Sequence, residues 1–95
     1  MIGTAVLVED LGERTVSFGL VQRRTVWEVE HVHRPRYRFI LCEIVTTPHG
    51  FAETVLYPCA RDGAETQARS LCRWGSHVAP EIALRRAGFQ VKVAA

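Results

Sequence analysis

Lysine is nearly absent: of the 12 Lys and Arg residues in the 95-residue chain, only Lys92 is Lys. A GC-rich coding sequence accounts for that bias without any function. Selection for planar, bidentate recognition of carboxylate or phosphate is the alternative, since Arg offers that fork and Lys does not. No stretch approaches the ~20 apolar residues that a membrane-spanning helix needs. The apolar start, Met1–Val8, is too short for a secretory leader and runs at once into Glu9 and Asp10. Cysteine is sparse and odd in number: Cys42, Cys59 and Cys72 fall in no CxxC or zinc-ribbon spacing. Free thiols in a reducing cytoplasm are the expectation, the cytoplasm being that of a host if a phage or plasmid encodes the chain. Glycine (7) and proline (4) are too few for a collagenous or disordered bias. A formal charge of +2 is too small to imply nucleic acid by its total.

What is present suits a single domain over residues 1–95, with 47% hydrophobic and 23% charged residues. The first sixty residues read as strands. Thr4–Val8 is short and β-branched, Glu9–Glu13 carries turn chemistry with Gly12, and Arg14–Arg23 alternates, so a hairpin is expected there. Thr25–His33 continues the alternation after a turn or bulge at Gln22–Arg24, with Trp27, Val29, His31 and His33 on one side. Pro35 breaks the ladder. Arg36–Thr46 has the apolar centre of a central strand, Thr47–Gly50 reads as a turn, and Phe51–Tyr57 as the partner strand ended by Pro58. Ala64, Ala68, Leu71, Gly75 and Val78 then fall at helical intervals, which predicts a helix broken or kinked before Pro80. A second helical segment, Pro80–Ala87, follows, with Gly88 as its cap and Phe89–Val93 as a short terminal strand on a sheet edge. The expected fold class is α+β: an antiparallel meander of about five strands packed by a C-terminal helix.

Catalytic patterns fail one by one. Ser76 and His77 are adjacent, which on a helix points them about 100° apart. No GxSxG elbow surrounds Ser70 or Ser76, and no GxGxxG or P-loop run is present. Cys72 borders an apolar stripe, as a core thiol does. Glu28 and Glu30 share a strand face and would serve as acid and base only inside a cleft. His31 and His33 could give a metal two imidazoles, joined by Cys59, Cys72, His49 or His77, but neighbouring Arg34, Arg36 and Arg38 repel a divalent ion. The sequence therefore predicts no enzyme, no cofactor and no metal.

The local feature above background is His31–Arg38, which holds three Arg and two His in eight residues with Tyr37 interleaved. Arg23 and Arg24 join it if the strands pair as supposed. Such a strip could dock on an acidic protein surface through Arg–carboxylate pairs, track phosphates while Tyr37 stacks on a base, or merely protect a strand edge. A sheet face left uncovered by the helix would also support a homodimer if it kept Trp27, Val29 or Tyr57. The resulting expectation is a small non-catalytic protein-binding domain, such as a phage- or mobile-element-encoded inhibitor or regulator of a host complex, with a protein of acidic surface as partner and no membrane. A nucleic-acid-binding module using Arg34–Arg38 is the alternative. A homodimer with a cryptic metal or catalytic site comes third.

Overall fold

A computed structural model describes residues 2–33, 37–67 and 69–93. Six strands form one sheet: β1 (Gly3–Thr15), β2 (Val21–His31), β3 (Phe39–Thr46), β4 (Ala52–Cys59), β5 (Cys72–Trp74) and β6 (Phe89–Lys92). Their spatial order is β5-β4-β3-β2-β1-β6, and the sheet curls into a half-barrel. Neighbours pair antiparallel except β1 and β6, which run parallel, so the sheet is mixed. One helix, α1 (Pro80–Arg86), precedes β6. The α+β class with a sheet core matches expectation. The antiparallel meander has five strands, though not all of the expected ones, the final strand β6 joins it in parallel on β1, and the helix is shorter.

The first hairpin turns later than the composition suggested. β1 runs straight through Glu9–Glu13, absorbing the turn-like residues in two irregularities, between Leu7 and Glu9 and between Asp10 and Gly12. Gly12, at φ +74, supplies a bulge here, and Asp10 Oδ1 accepts its N–H at 2.8 Å. The chain reverses instead at Ser17–Gly19, and β2 continues unbroken through Gln22–Arg24. The second hairpin lies where expected: Thr47 donates to Phe51 O, and β4 answers β3 residue for residue from Thr46–Ala52 to Phe39–Cys59. Pro58 does not end β4, because it occupies the ladder opposite Ile40. Its carbonyl accepts from Thr66 N–H, on the side where Leu56 O takes Leu71 N–H, so its donorless nitrogen faces away from β3, beyond the end of β5.

The helix expected over Ala64–Val78 does not form; Ala68 lies outside the described residues, and the described remainder is turns plus β5. Its stripe was built of small residues and Gly75, with Leu71 exposed and Val78 the buried exception. Burial worth so little cannot nucleate a helix. The unpaired edge of β4 offers better partners, and the segment takes them through Thr66, Leu71 and the β5 ladder. Where the second helix was expected, α1 does form. Pro80 opens it, Arg85 and Arg86 sit at its negative end, and Gly88 follows at φ +104.

Two apolar layers result. On the α1 side, Trp27, Ile40, Leu56, Ala83, Leu84 and Phe89 belong to the main cluster. On the other side Val26, Leu41 and Cys59 form a smaller one, against which Val8, Leu11, Phe39 and Tyr57 pack. The loop after β4 folds over this second face, and Gly63 makes that approach feasible. A Cβ there would sit 2.9 Å from Leu11 Cδ1, and φ is +89, which L side chains avoid.

Candidate functional site

Only part of the expected basic strip is described. Arg34 and Arg36 lie outside the described residues. Arg23 and Arg24 sit near the start of β2, opposite Ile44 and Glu43, whereas Arg38 sits beside Glu28, four to five residues further on. At roughly 3.3 Å per residue that is about 13–16 Å, so the early arginines stand apart from Arg38. Arg23 is paired with Asp10 at 2.7 Å and Arg38 with Glu28 at 2.8 Å. Exposed pairs of this kind contribute about 0–1 kcal/mol each but reduce the free positive charge that a phosphate or acidic partner would meet.

The two histidines separate. His31 is half-buried, edge-on to Tyr37 (ring centroids 4.7 Å apart) and to Phe89 (5.7 Å), with Nε2 buried and without a hydrogen-bond partner among the described residues. Its ring serves packing. His33 is exposed beyond the end of β2. Tyr37 packs partly buried against the main cluster. Among the described residues, no three His, Cys, Asp or Glu are grouped to hold a metal ion.

On the second face a polar group surrounds Glu43, which the sequence reading had passed over. Arg24, Glu43, Val55 and Arg73 stand in register across β2, β3, β4 and β5. Burial pushes the Glu43 carboxyl above its usual range, with Glu65 adding to the rise and Arg24 opposing it. Tyr57, pushed up by burial and then by Glu43, lies beside this group. Arg24 Nε is buried and unpartnered among the described residues. Burial also raises the thiols, Cys42 to about 12 and Cys59 to about 11, so neither is a nucleophile at neutral pH.

The side chains expected to face a partner from the open sheet are not available. Trp27 and Val29 are buried in the main cluster, and Tyr57 is half-covered on the second face. The two exposed Phe side chains lie elsewhere, at the turn end of the sheet. Phe18 is 94% exposed and Phe51 75% exposed. Phe18 belongs to the β1–β2 turn and Phe51 closes the β3–β4 turn, and the two turns touch, since a Cβ on Gly19 would lie 3.1 Å from Pro48 Cγ.

The backbone at Phe18 is the unusual part. Phe18 has φ 62 and ψ 24, and Gly19 follows at φ 73, with Leu20 N–H donating back to Ser17 O at 3.4 Å. Positive φ at both central residues is the mark of the type I′ turn, which matches strand twist but favours Asn-Gly or Gly-Gly. A large aromatic at the first of these positions is strained by about 1–2 kcal/mol. Nothing within the chain offsets the strain, because the ring projects into solvent. The readable signal is Gly19 between two strand-like runs, which the alternation over Arg14–Arg23 hides.

Comparison with protein-family models, with curated proteins and with solved structures finds no match.

Proposed function

We propose that the chain is a small protein-binding domain that acts by occupying a macromolecular surface, as an inhibitor or regulator does, with the Phe18 hairpin tip as its anchor. One observation carries this: a strained, solvent-exposed Phe on one turn, with a second exposed Phe on the turn that touches it. Two exposed aromatic rings on touching turns are a liability for a chain that meets only water. Rigid aromatic side chains are also the commonest anchors of protein interfaces. Arg38 and His33 lie at the opposite end of β2 and would add attraction to an acidic partner surface rather than form the anchor.

The test is retention of a partner from the extract of the cognate host on immobilised protein. Phe18→Ser should weaken the retained complex by about 2 kcal/mol, roughly 30-fold in affinity. Equal retention by both proteins would reject the tip as anchor. Tight oligonucleotide binding that falls steeply with salt, and loses slope on charge reversal at Arg38, would favour the nucleic-acid alternative instead.

A further inference from the structure

The second face of the sheet holds three half-buried polar side chains with no partner of their own. Arg24 on β2 and Glu43 on β3 stand directly opposite each other, and Tyr57 on β4 lies diagonal to Glu43, because Leu41 pairs with Tyr57 and Glu43 with Val55. Side chains in such direct and diagonal positions are within reach of one another. Yet among the described residues none of the three makes a side-chain hydrogen bond or an ion pair. Their neighbours are satisfied: Arg14 donates to Gln22 at 2.8 Å, and Arg73 pairs with Glu53 at 3.5 Å. Buried polar groups nearly always find a partner, and one left unmet costs about 1–3 kcal/mol. Arg24 Nε is sealed and unpartnered, whereas its Nη atoms and the ends of Glu43 and Tyr57 are not sealed and stand open to a ligand.

The charges around these three groups select the ligand. Burial pushes the Glu43 carboxyl up, with Glu65 and Glu53 adding to the rise and Arg24 and Arg14 opposing it. Burial first, and then Glu43, does the same to Tyr57, which stays a neutral hydroxyl. With Glu43 protonated and Arg73 engaged by Glu53, Arg14 and Arg24 face Glu65 alone, an excess of one positive charge. That excess suits a monoanion better than a phosphate dianion. The donors are a guanidinium, a carboxyl and a phenol, and a carboxylate is the planar, acceptor-only group that can take bonds from all of them.

We propose that the second face binds a carboxylate, held by the Arg24 fork and by hydrogen bonds from the Glu43 carboxyl and the Tyr57 hydroxyl. Wherever Glu43 is ionised in the free protein it must take up a proton as the ligand arrives, so affinity falls as pH rises. The site goes beyond the Phe18 tip and needs no contact there.

The test follows the Arg Nε–Hε resonances of the whole chain by NMR while sodium acetate is added at constant ionic strength, at pH 5 and at pH 8. The Arg24 resonance should shift and saturate at pH 5, and the affinity should fall by up to about tenfold per pH unit above the Glu43 pKa. Glu43→Gln keeps a donor without a titration and should bind acetate equally at both pH values. Read from the Glu43 amide, Arg24→Lys should weaken binding about tenfold, because an ammonium lacks the fork. A tripeptide blocked at both ends, with glutamate as its only carboxylate, identifies the source. Binding tighter than that of acetate assigns the site to a protein partner, and equal or weaker binding to a small free acid. No saturable shift below about 100 mM acetate at pH 5, an equal shift with chloride, or a wild-type affinity indifferent to pH overturns the proposal. Phe18-dependent retention of a partner would survive that failure, so the two readings fall separately.

Discussion

Phe18 shows how one residue can serve something other than stability. Its left-handed backbone is a cost that Asn or Gly would not incur, and its ring is 94% exposed. Phe18→Asn should therefore raise stability by about 1 kcal/mol in denaturant unfolding while abolishing partner binding, a trade between stability and function. Thr54 is the converse case, a fully buried hydroxyl used twice. It donates to Ser76 O and accepts from Val78 N–H, both at 2.9 Å, pinning the link between β5 and α1 onto β4. Thr54→Val keeps the shape and leaves two buried backbone groups unpaired, so a loss of about 3 kcal/mol is expected in the same assay. The thiols form a third test. With Cys42 held at about 12 and Cys59 at about 11, iodoacetamide at neutral pH should modify them only as fast as the protein opens. Labelling of Cys42 at the rate of a free thiol would contradict its burial.

At the scale of elements, both edges of the sheet are short. β5 has three residues and β6 four, and edge strands so short leave little backbone for foreign pairing. The long loop between β4 and β5 has a job beyond connection, because it seals Val26 and Leu41 on the second face through Gly63. Gly63→Ala combines a forbidden φ with a 2.9 Å clash against Leu11, and should cost about 2 kcal/mol or more. Its loss should fall on this loop first, visible as faster amide exchange at Ala60 and Gly63 than in β3. The second hairpin and α1 were readable because their signals are local: alternation, a Pro-containing turn, Pro at the helix start and Gly after its end. The segment Ala64–Val78 was misread because its periodicity was real but its residues were too small to gain from it, while the free edge of β4 lies far away in sequence.

For the whole molecule, the polar group on the second face links stability to pH. The Glu43 carboxyl has its pKa raised in the folded chain, so the folded state holds its proton more tightly than the unfolded state does. Stability from this group is greatest below the unfolded value and falls as pH rises through the folded one. Glu43→Gln should remove that downward slope and leave the protein at least as stable at pH 7 as the wild type, measured by thermal unfolding from pH 4 to pH 8. Arg24 opposes the shift, and Arg24→Ala should steepen the slope. A wild-type stability that climbs steadily over this window would show that another group governs it.

The sequence by itself determined the class of structure: period-two segments for a sheet, one Pro-to-Gly helix, and a terminal edge strand. It also marked where positive charge gathers, at His31–Arg38. Tertiary structure decided which of those charges stay free, because Asp10 and Glu28 reach Arg23 and Arg38 only once β1, β2 and β3 are aligned. It decided that Trp27 is core while Phe18 is displayed, since exposure depends on which face finds a cover. The grouping of Arg24, Glu43 and Tyr57 was equally illegible, being made only by the register of β2, β3 and β4. Local rules fix what each segment can become, and the packing of distant segments fixes which surfaces are left for other molecules.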